Sequence, residues 1–243
     1  TYAVGDVVMT ITSDENGHAS TGNDALPYGT YEVRESATNE SMLLTWQGET
    51  VQVRQNGHSV AITAVNEVER GGLSVEKQDT ITGSTPQGDA NFEGITFEII
   101  NNSRNPVIVE GQKYQPGEVV KTLVTDSEGK ASTADDLLPY GEYILHESAT
   151  NESMLLTAPD QTVLVEDDGI IYEFTMEDEV VRGGVLIEKR DLESGLLTPL
   201  GGASLDGTLF EITNKSINAV YVNGALYQPG EVCATIEVVD GVA

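Results

Sequence analysis

The segment ESATNESMLLT occurs twice in this chain without a change, at residues 35–45 and again 112 residues later at 147–157. An unchanged repeat at the spacing of one small domain is typical of an array of copies of a single module. The repeat therefore restricts the fold to a small, compact domain that can be joined end to end with further copies of itself. Such arrays supply length or several copies of a surface more often than an active site.

The similarity between copies extends on both sides of this segment. Three further motifs recur at nearly the same spacing: LPYG at 26–29 and 138–141, RGG at 70–72 and 182–184, and YQPGEV at 114–119 and 227–232. The last pair is 113 residues apart, so one residue is inserted in the later copy. A third copy has therefore begun by Gly184.

These motifs predict three segments of the array. We expect residues 1–71 to be the C-terminal part of a first repeat, residues 72–183 a complete repeat, and residues 184–243 the N-terminal part of a third. Both ends of the sequence then have the character of cuts through a longer repetitive chain.

The charge of the chain restricts its partners. It has 40 acidic and 12 basic residues, a formal net charge of −28, which disfavours binding to nucleic acids and to anionic membranes. No segment is long and apolar enough to suggest insertion into a membrane. Cys233 is the single cysteine, so an intrachain disulfide is excluded.

The local pattern predicts β-strands throughout. Short runs rich in β-branched and aromatic residues alternate with clusters of Gly, Pro, Asn and Asp, and no helical periodicity of useful length is present. The complete repeat contains seven predicted strands, at 73–79, 95–101, 106–110, 118–125, 142–148, 161–166 and 171–179. We therefore predict an all-β chain of tandem antiparallel β-sandwich modules.

Two acidic turns resemble calcium-binding loops at first sight. Residues 14–17 (DENG) and 126–129 (DSEG) carry the oxygen-rich side chains that Ca²⁺ prefers, but hairpin turns require the same residues. The turn is the favoured interpretation. We predict no metal site and no cofactor.

Alternation along the strands places three polar residues among the inward-facing positions. Lys77 follows Leu73 and Val75 on one face, Glu147 follows Tyr143 and Leu145, and Asp178 follows Tyr172, Phe174 and Met176. The incomplete copies repeat the pattern with Glu35 and Asn66 in the first and Lys189 in the third.

Burial of these groups predicts a chemical reaction between them. An unpaired buried charge is costly, so the three groups must meet or reach solvent. If they meet, burial favours their neutral forms, which leaves an amine nucleophile beside a protonated Glu147. The amine can then attack the side-chain carbonyl of Asp178. A buried ion pair without a bond, or a lysine that reaches out to solvent, is the alternative.

At these residues the chain resembles the Cna B-type (SpaA-like) domains of Gram-positive surface adhesins and pilins. The resemblance rests on the EKQD strand at 76–79, FEI at 97–99, the TDSEGKAS turn at 125–132, and LPYGEYILHESA at 138–149. It implies a transthyretin-like (prealbumin-like) sandwich that forms a Lys–Asn or Lys–Asp isopeptide bond with the help of a glutamate. The family usually has a proline and a Gly-Tyr pair shortly after that glutamate, and this chain has neither there.

Carried over by this resemblance, Lys77 is the nucleophile, Glu147 the catalytic acid and base, and Asp178 the acceptor. Glu35 and Asn66 are the catalytic acid and the acceptor of the first copy, whose lysine precedes Thr1, while Lys189 is the only one of the three in the last copy. A pairing of Lys189 with Asn66 between adjacent chains is possible, but one continuous array is the simpler interpretation.

The expected function is a structural stalk or fibre segment of a repetitive adhesin or pilus-like protein at the bacterial cell surface or cell wall. Its expected partners are neighbouring repeats and adjacent chains in a fibre, and its only expected catalysis is its own single-turnover cross-linking. The alternative is an adhesin module that recognises a host glycan or protein through loops such as 101–113. Histidines do not recur at matching positions, which disfavours a conventional enzyme.

Overall fold

The computed structural model describes residues 2–243 and contains no helix within them. This confirms the all-β prediction. The chain divides into two compact units, the first ending at Val68 and the second comprising Glu69–Ala243.

The first unit has one small antiparallel sheet. It consists of β1 (Gly29–Val33) and β2 (Glu49–Val53). An isolated bridge joins Met42 to Val68. The LPYG motif ends at Gly29, the first residue of β1, and the Tyr31 hydroxyl donates to the Pro27 carbonyl of this motif at 2.8 Å.

The second unit contains fourteen strands. Ten of them lie within residues 70–178, so the first strand begins two residues before the predicted start of the complete repeat: β3 (Arg70–Asp79), β4 (Thr96–Asn101), β5 (Val107–Val109), β6 (Gln112–Tyr114), β7 (Val119–Val124), β8 (Lys130–Ser132), β9 (Leu138–Pro139), β10 (Gly141–Ala149), β11 (Gln161–Val165) and β12 (Ile171–Asp178). In the last copy they are β13 (Leu209–Thr213), β14 (Val220–Val222), β15 (Ala225–Tyr227) and β16 (Val232–Glu237). Strands β6, β8 and β9 were not predicted because, unlike the equally short Val-Ile-Val of β5, they contain no run of β-branched residues.

Two four-stranded sheets and the two-stranded sheet of β5 and β6 form the complete repeat, and the two larger sheets enclose its core. One has the strand order β11-β10-β4-β7, and the other has the order β12-β3-β8, with β9 also paired to β3. Every pairing in this repeat is antiparallel except that between β3 and β12, which is parallel and places Lys77 beside Met176 and Asp79 beside Asp178. The first and last long strands of the repeat thus run side by side in the same direction.

The core lies between the inward faces of these two sheets. The two-residue period of the strands determines which side chains it receives, as the alternating burial along β3, β4 and β10 shows. The fully buried apolar side chains include Leu73, Phe97, Ile99, Tyr143 and Leu145. The polar residues on the same faces are therefore buried with them.

The complete repeat contacts the last copy through the loop that contains Gln87. The Gln87 side chain donates to the Asp79 carboxylate at 3.1 Å, and its Oε1 accepts from the Tyr221 backbone N–H at 2.9 Å and from Arg182 at 3.2 Å. Two backbone hydrogen bonds extend the contact, Gly88 N–H to Ala219 O and Asn218 N–H to Gly88 O, both at 3.0 Å. These two copies therefore meet through directional hydrogen bonds.

Candidate functional site

Three polar side chains meet at one end of the core of the complete repeat. Lys77 lies near the end of β3, Asp178 ends the neighbouring strand β12, and Glu147 projects from β10 in the opposite sheet. All three side chains are fully buried, with 0 % exposure. The structure thus brings together the three residues that alternation places inward, and burial of the amine excludes a lysine that reaches out to solvent.

The amine of Lys77 contacts both carboxyl groups. Its Nζ lies 2.6 Å from Oε2 of Glu147 and 2.9 Å from Oδ2 of Asp178. The contact with Asp178 has the distance of an ion pair but not the alignment of a hydrogen bond, so Oδ2 has no hydrogen-bond partner among residues 2–243. The amine and the Asp178 carboxyl group are therefore adjacent, with no other group between them.

The other oxygen of Asp178 has a different environment. Its Oδ1 accepts from the backbone N–H groups of Thr157 and Ala158, at 2.8 Å each, and from the Thr157 hydroxyl at 3.0 Å. Sequence reasoning missed these donors, because they lie outside the strands, where no alternation assigns a direction. One signal was available: Thr157 is the last residue of the unchanged repeat whose first residue is Glu147.

The interior of that repeated segment forms the same loop in both copies. Its asparagine side chain accepts from the serine two residues later, and its methionine bridges to a valine: Asn39, Ser41, Met42 and Val68 in the first copy, and Asn151, Ser153, Met154 and Val180 in the second. The loop thus connects the glutamate to the threonine that binds the acceptor.

The pKa values of the two carboxyl groups move in opposite directions. Burial, together with the interaction with Asp178, raises the pKa of Glu147 from 4.5 to about 7, although Lys77 opposes the change. Burial is also the largest influence on Asp178 and acts to raise its pKa. The close Lys77 amine, the hydrogen bond from the Thr157 backbone N–H and the interaction with Glu147 outweigh burial, so the pKa of Asp178 falls below its ordinary value. The expectation of a neutral acceptor carboxyl group is therefore wrong for Asp178.

Two buried oxygens indicate where a proton can reside. Within residues 2–243, Oε1 of Glu147 and Oδ2 of Asp178 are buried without a hydrogen-bond partner. A proton on Glu147 is consistent with its raised pKa. Asp178 contributes to that increase, and Glu147 contributes to the decrease in the pKa of Asp178. Glu147 is thus suited to hold a proton and to release it near neutral pH.

The first unit contains the same arrangement without an amine. Asn66 donates through Nδ2 to Oε2 of Glu35 at 2.6 Å, and its Oδ1 accepts from the N–H groups of Thr45 at 3.3 Å and Trp46 at 3.0 Å. Thr45 and Trp46 lie 112 residues before Thr157 and Ala158. Residues 2–68 contain no lysine, so this site consists of a glutamate, an acceptor and two amide donors.

Lys189 is half-buried in the last copy, where its backbone N–H donates to the Gly241 carbonyl at 2.9 Å. It lies in the second unit and Asn66 in the first. The pairing of these two residues stays a prediction.

The acidic turns have local structural roles. Asp126 Oδ1 accepts from the N–H groups of Glu128 and Lys130, and Asp14 Oδ1 binds its own turn in the same way. Among residues 2–243, no group of three or more His, Cys, Asp and Glu side chains is placed to hold a metal ion. That part of the chain also has no helix with the length and apolar character needed to cross a membrane.

Comparison with protein families identifies the fold family of this chain. The family described as the SpaA prealbumin-like fold domain matches residues 1–68 and 72–180. The Bacillus anthracis TIE protein is similar in structure, with 22% identity, a TM-score of 0.57, and coverage of 96% of this chain and 37% of that one. A streptococcal ancillary pilin has 20% identity, a TM-score of 0.35, and coverage of 90% and 62%.

A minor pilin of Streptococcus agalactiae has 22% identity, a TM-score of 0.35, and coverage of 72% of this chain and 69% of that one. The chain thus spans about a third of the Bacillus anthracis protein and less than two thirds of the streptococcal ancillary pilin. Comparison with curated protein sequences gives no match. At this level of identity, the Bacillus anthracis protein supports the fold.

Proposed function

Because the chain belongs to the SpaA prealbumin-like fold domain family, we propose that it is a structural segment of a bacterial cell-surface fibre, an adhesin stalk or a pilus-like polymer. Its complete repeat, residues 72–183, is stapled by an isopeptide bond between Lys77 and Asp178 that the module forms on itself. The fibre is built from successive repeats and from adjacent chains, outside the cell and at the cell wall.

One observation carries this proposal: the Lys77 amine lies 2.9 Å from the Asp178 carboxyl group in a fully buried site, with the Glu147 carboxyl group 2.6 Å from the same amine. A buried ion pair is a weak source of stability, because desolvation of the charges offsets their attraction. Condensation to an amide removes both charges. The arrangement therefore favours the bonded product over a permanent ion pair.

The reaction balances without an external reagent. After one proton has left the ammonium group for a carboxyl oxygen, Nζ of Lys77 attacks Cγ of Asp178, the new C–N bond forms, and the bond from Cγ to one carboxyl oxygen breaks. An ammonium group and a carboxylate together yield one amide and one water molecule. Of the three ammonium protons, one stays on the amide nitrogen and two leave with the departing oxygen.

Glu147 is the group that moves these protons. Its Oε2 lies 2.6 Å from the amine whose nitrogen is 2.9 Å from the acceptor, so one amine contacts both carboxyl groups. A pKa of about 7 allows it to accept a proton from nitrogen and to donate one to oxygen at neutral pH. It ends the reaction in the state in which it began.

The bond would determine how the module bears force. The parallel strands β3 and β12 carry the two linked residues near their C-terminal ends. Force that enters along β3 crosses at Lys77 and leaves after Asp178, so the 100 residues between them, 78–177, lie outside the load path. A stalk built in this way stretches little under tension.

The first unit supports the same chemistry with an amide acceptor. Attack of a lysine on Cγ of Asn66 would release ammonia, and Glu35 lies beside the nitrogen that leaves. In a continuous array, the preceding strand of the same repeat supplies that lysine. Lys189 is the corresponding nucleophile of the last copy.

Peptide mapping of the purified chain tests the proposal. Trypsin cuts after lysine and arginine, so an unlinked chain yields residues 71–77, 78–104 and 131–182 as separate peptides. The linked chain resists cleavage at Lys77 and yields one branched peptide that joins 71–104 to 131–182. Separate peptides 71–77 and 131–182, without the branched one, would overturn the proposed bond.

A further inference from the structure

We propose that the Thr157 hydroxyl and the backbone N–H groups of Thr157 and Ala158 form an oxyanion hole for the condensation of Lys77 with Asp178. In this arrangement Oδ1 of Asp178 becomes the amide oxygen, and Oδ2 leaves as water. The inference rests on the proposed cross-link and assigns a catalytic role to a residue outside the lysine, glutamate and aspartate.

The two oxygens of Asp178 are held in different ways. Oδ1 accepts three hydrogen bonds, of 2.8, 2.8 and 3.0 Å, from Thr157 and Ala158. Oδ2 accepts none among residues 2–243 and lies 2.9 Å from the attacking amine. One oxygen is therefore fixed in place, and the other is free to take up protons and depart.

The first unit provides an independent indication of the same assignment. An asparagine acceptor has only one oxygen, so in a condensation its oxygen must stay and its nitrogen must leave. Nδ2 of Asn66 is held by Glu35, and Oδ1 is held by the amides of Thr45 and Trp46. The amide pair thus binds the retained oxygen at Asn66, and the equivalent pair binds Oδ1 of Asp178.

The donors lie where negative charge develops during the reaction. Attack of the amine on Cγ converts the planar carboxyl group into a tetrahedral intermediate with charge on the retained oxygen. Preorganised donors at about 2.7–3.1 Å from that oxygen stabilise such an intermediate at little cost in reorganisation. The three contacts of Oδ1 lie within this range.

The hydroxyl is the donor that can be removed by substitution. In the first copy the equivalent Thr45 hydroxyl accepts from the Glu67 N–H at 3.2 Å. In the complete repeat the Thr157 hydroxyl accepts from the Glu179 N–H at 3.4 Å and also donates to Oδ1. Thr157→Val removes the donor and keeps the branched shape, whereas Thr157→Ser keeps the donor.

The test measures the rate of bond formation in the whole chain. A short pulse of labelled cell-free synthesis sets the start of the reaction, and denaturing gels resolve the linked chain from the unlinked one during the chase. Loss of one oxyanion-hole donor costs on the order of 10²-fold in rate. We expect that reduction for Thr157→Val and a rate near that of the wild type for Thr157→Ser.

The outcomes distinguish a failure of the oxyanion hole from a failure of the cross-link itself. A wild-type rate in a folded Thr157→Val chain would overturn the role of the hydroxyl and leave the cross-link standing. A wild-type chain that never forms the bond would overturn both proposals. Thr157→Ala removes the same donor with a smaller side chain, and it replaces the valine variant if that variant does not fold.

Discussion

Lys77 and Asp178 lie on neighbouring parallel strands with Nζ and Oδ2 2.9 Å apart, near the C-terminal ends of both strands. In a parallel pair, tension between the start of one strand and the end of the other shears the hydrogen bonds between them. A covalent link between these two residues would carry that tension, so the hydrogen bonds between the strands would no longer bear it. The position of this pair therefore connects the chemistry of the site to the proposed mechanical role.

Replacement of Glu147 by glutamine is expected to stop the reaction and preserve the fold. Glutamine has nearly the same shape but cannot relay a proton between nitrogen and oxygen. The control is Glu152→Gln, an exposed position in the same repeated segment, which has the same calculated mass. Mass spectrometry should find Glu147→Gln heavier by about 18 Da, one water molecule. Equal masses with both chains linked would exclude the proposed role of Glu147.

The rate of bond formation is expected to depend on the protonation of Glu147. Because the pKa of Glu147 is raised to about 7, the residue is protonated below that pH and ionised above it. A protonated Glu147 can donate to the departing oxygen, so the rate should fall as pH rises through about 7. Pulsed synthesis followed by dilution into buffers of different pH measures this profile. A rate that increases steadily above neutral pH would contradict the assignment.

Substitution of Asp178 by asparagine is expected to preserve the cross-link. Asn66 already occupies the equivalent position with its oxygen on the amide donors and its nitrogen on the glutamate. The variant should lose ammonia where the wild type loses water, and both reactions give the same product. High-resolution mass spectrometry should therefore find identical masses for the two linked chains. An unlinked Asp178→Asn chain would show that the site requires a carboxyl acceptor.

Replacement of Lys77 by alanine is expected to destabilise the complete repeat strongly. The bond closes a loop from residue 77 to residue 178, 101 residues further on, and by analogy with a disulfide of that span it contributes about 4–5 kcal/mol. The variant also leaves two buried carboxyl groups without a cation, which adds to the loss. Urea unfolding measures the difference, with the exposed Lys113→Ala as the control. A free energy of unfolding within about 1 kcal/mol of the wild type would contradict this account.

Strand alternation predicted most of the site because its residues lie on regular strands. Once β3, β10 and β12 alternate between core and solvent, the inward positions of Lys77, Glu147 and Asp178 follow. Alternation does not predict the direction of groups in loops. The amide donors of Thr157 and Ala158 lie in a loop and were therefore not predicted. The predicted direction of the Asp178 pKa shift was wrong because Lys77, with smaller contributions from a Thr157 hydrogen bond and from Glu147, outweighs the effect of burial.

The topology was less accessible to sequence reasoning than the strands themselves. The repeat predicts that the first and last strands belong to one module, but it does not predict that β3 and β12 pair in parallel. Strand direction depends on how the chain crosses between the two sheets, and no local pattern records that path.

The intact mass of the reduced, purified wild-type chain tests the central claim most directly. The account predicts a mass below the value calculated from the sequence by about 18 Da, the loss of one water molecule, and no such loss in Lys77→Ala. A wild-type mass equal to the calculated value would show that Lys77 and Asp178 form only an ion pair and would contradict the proposed bond.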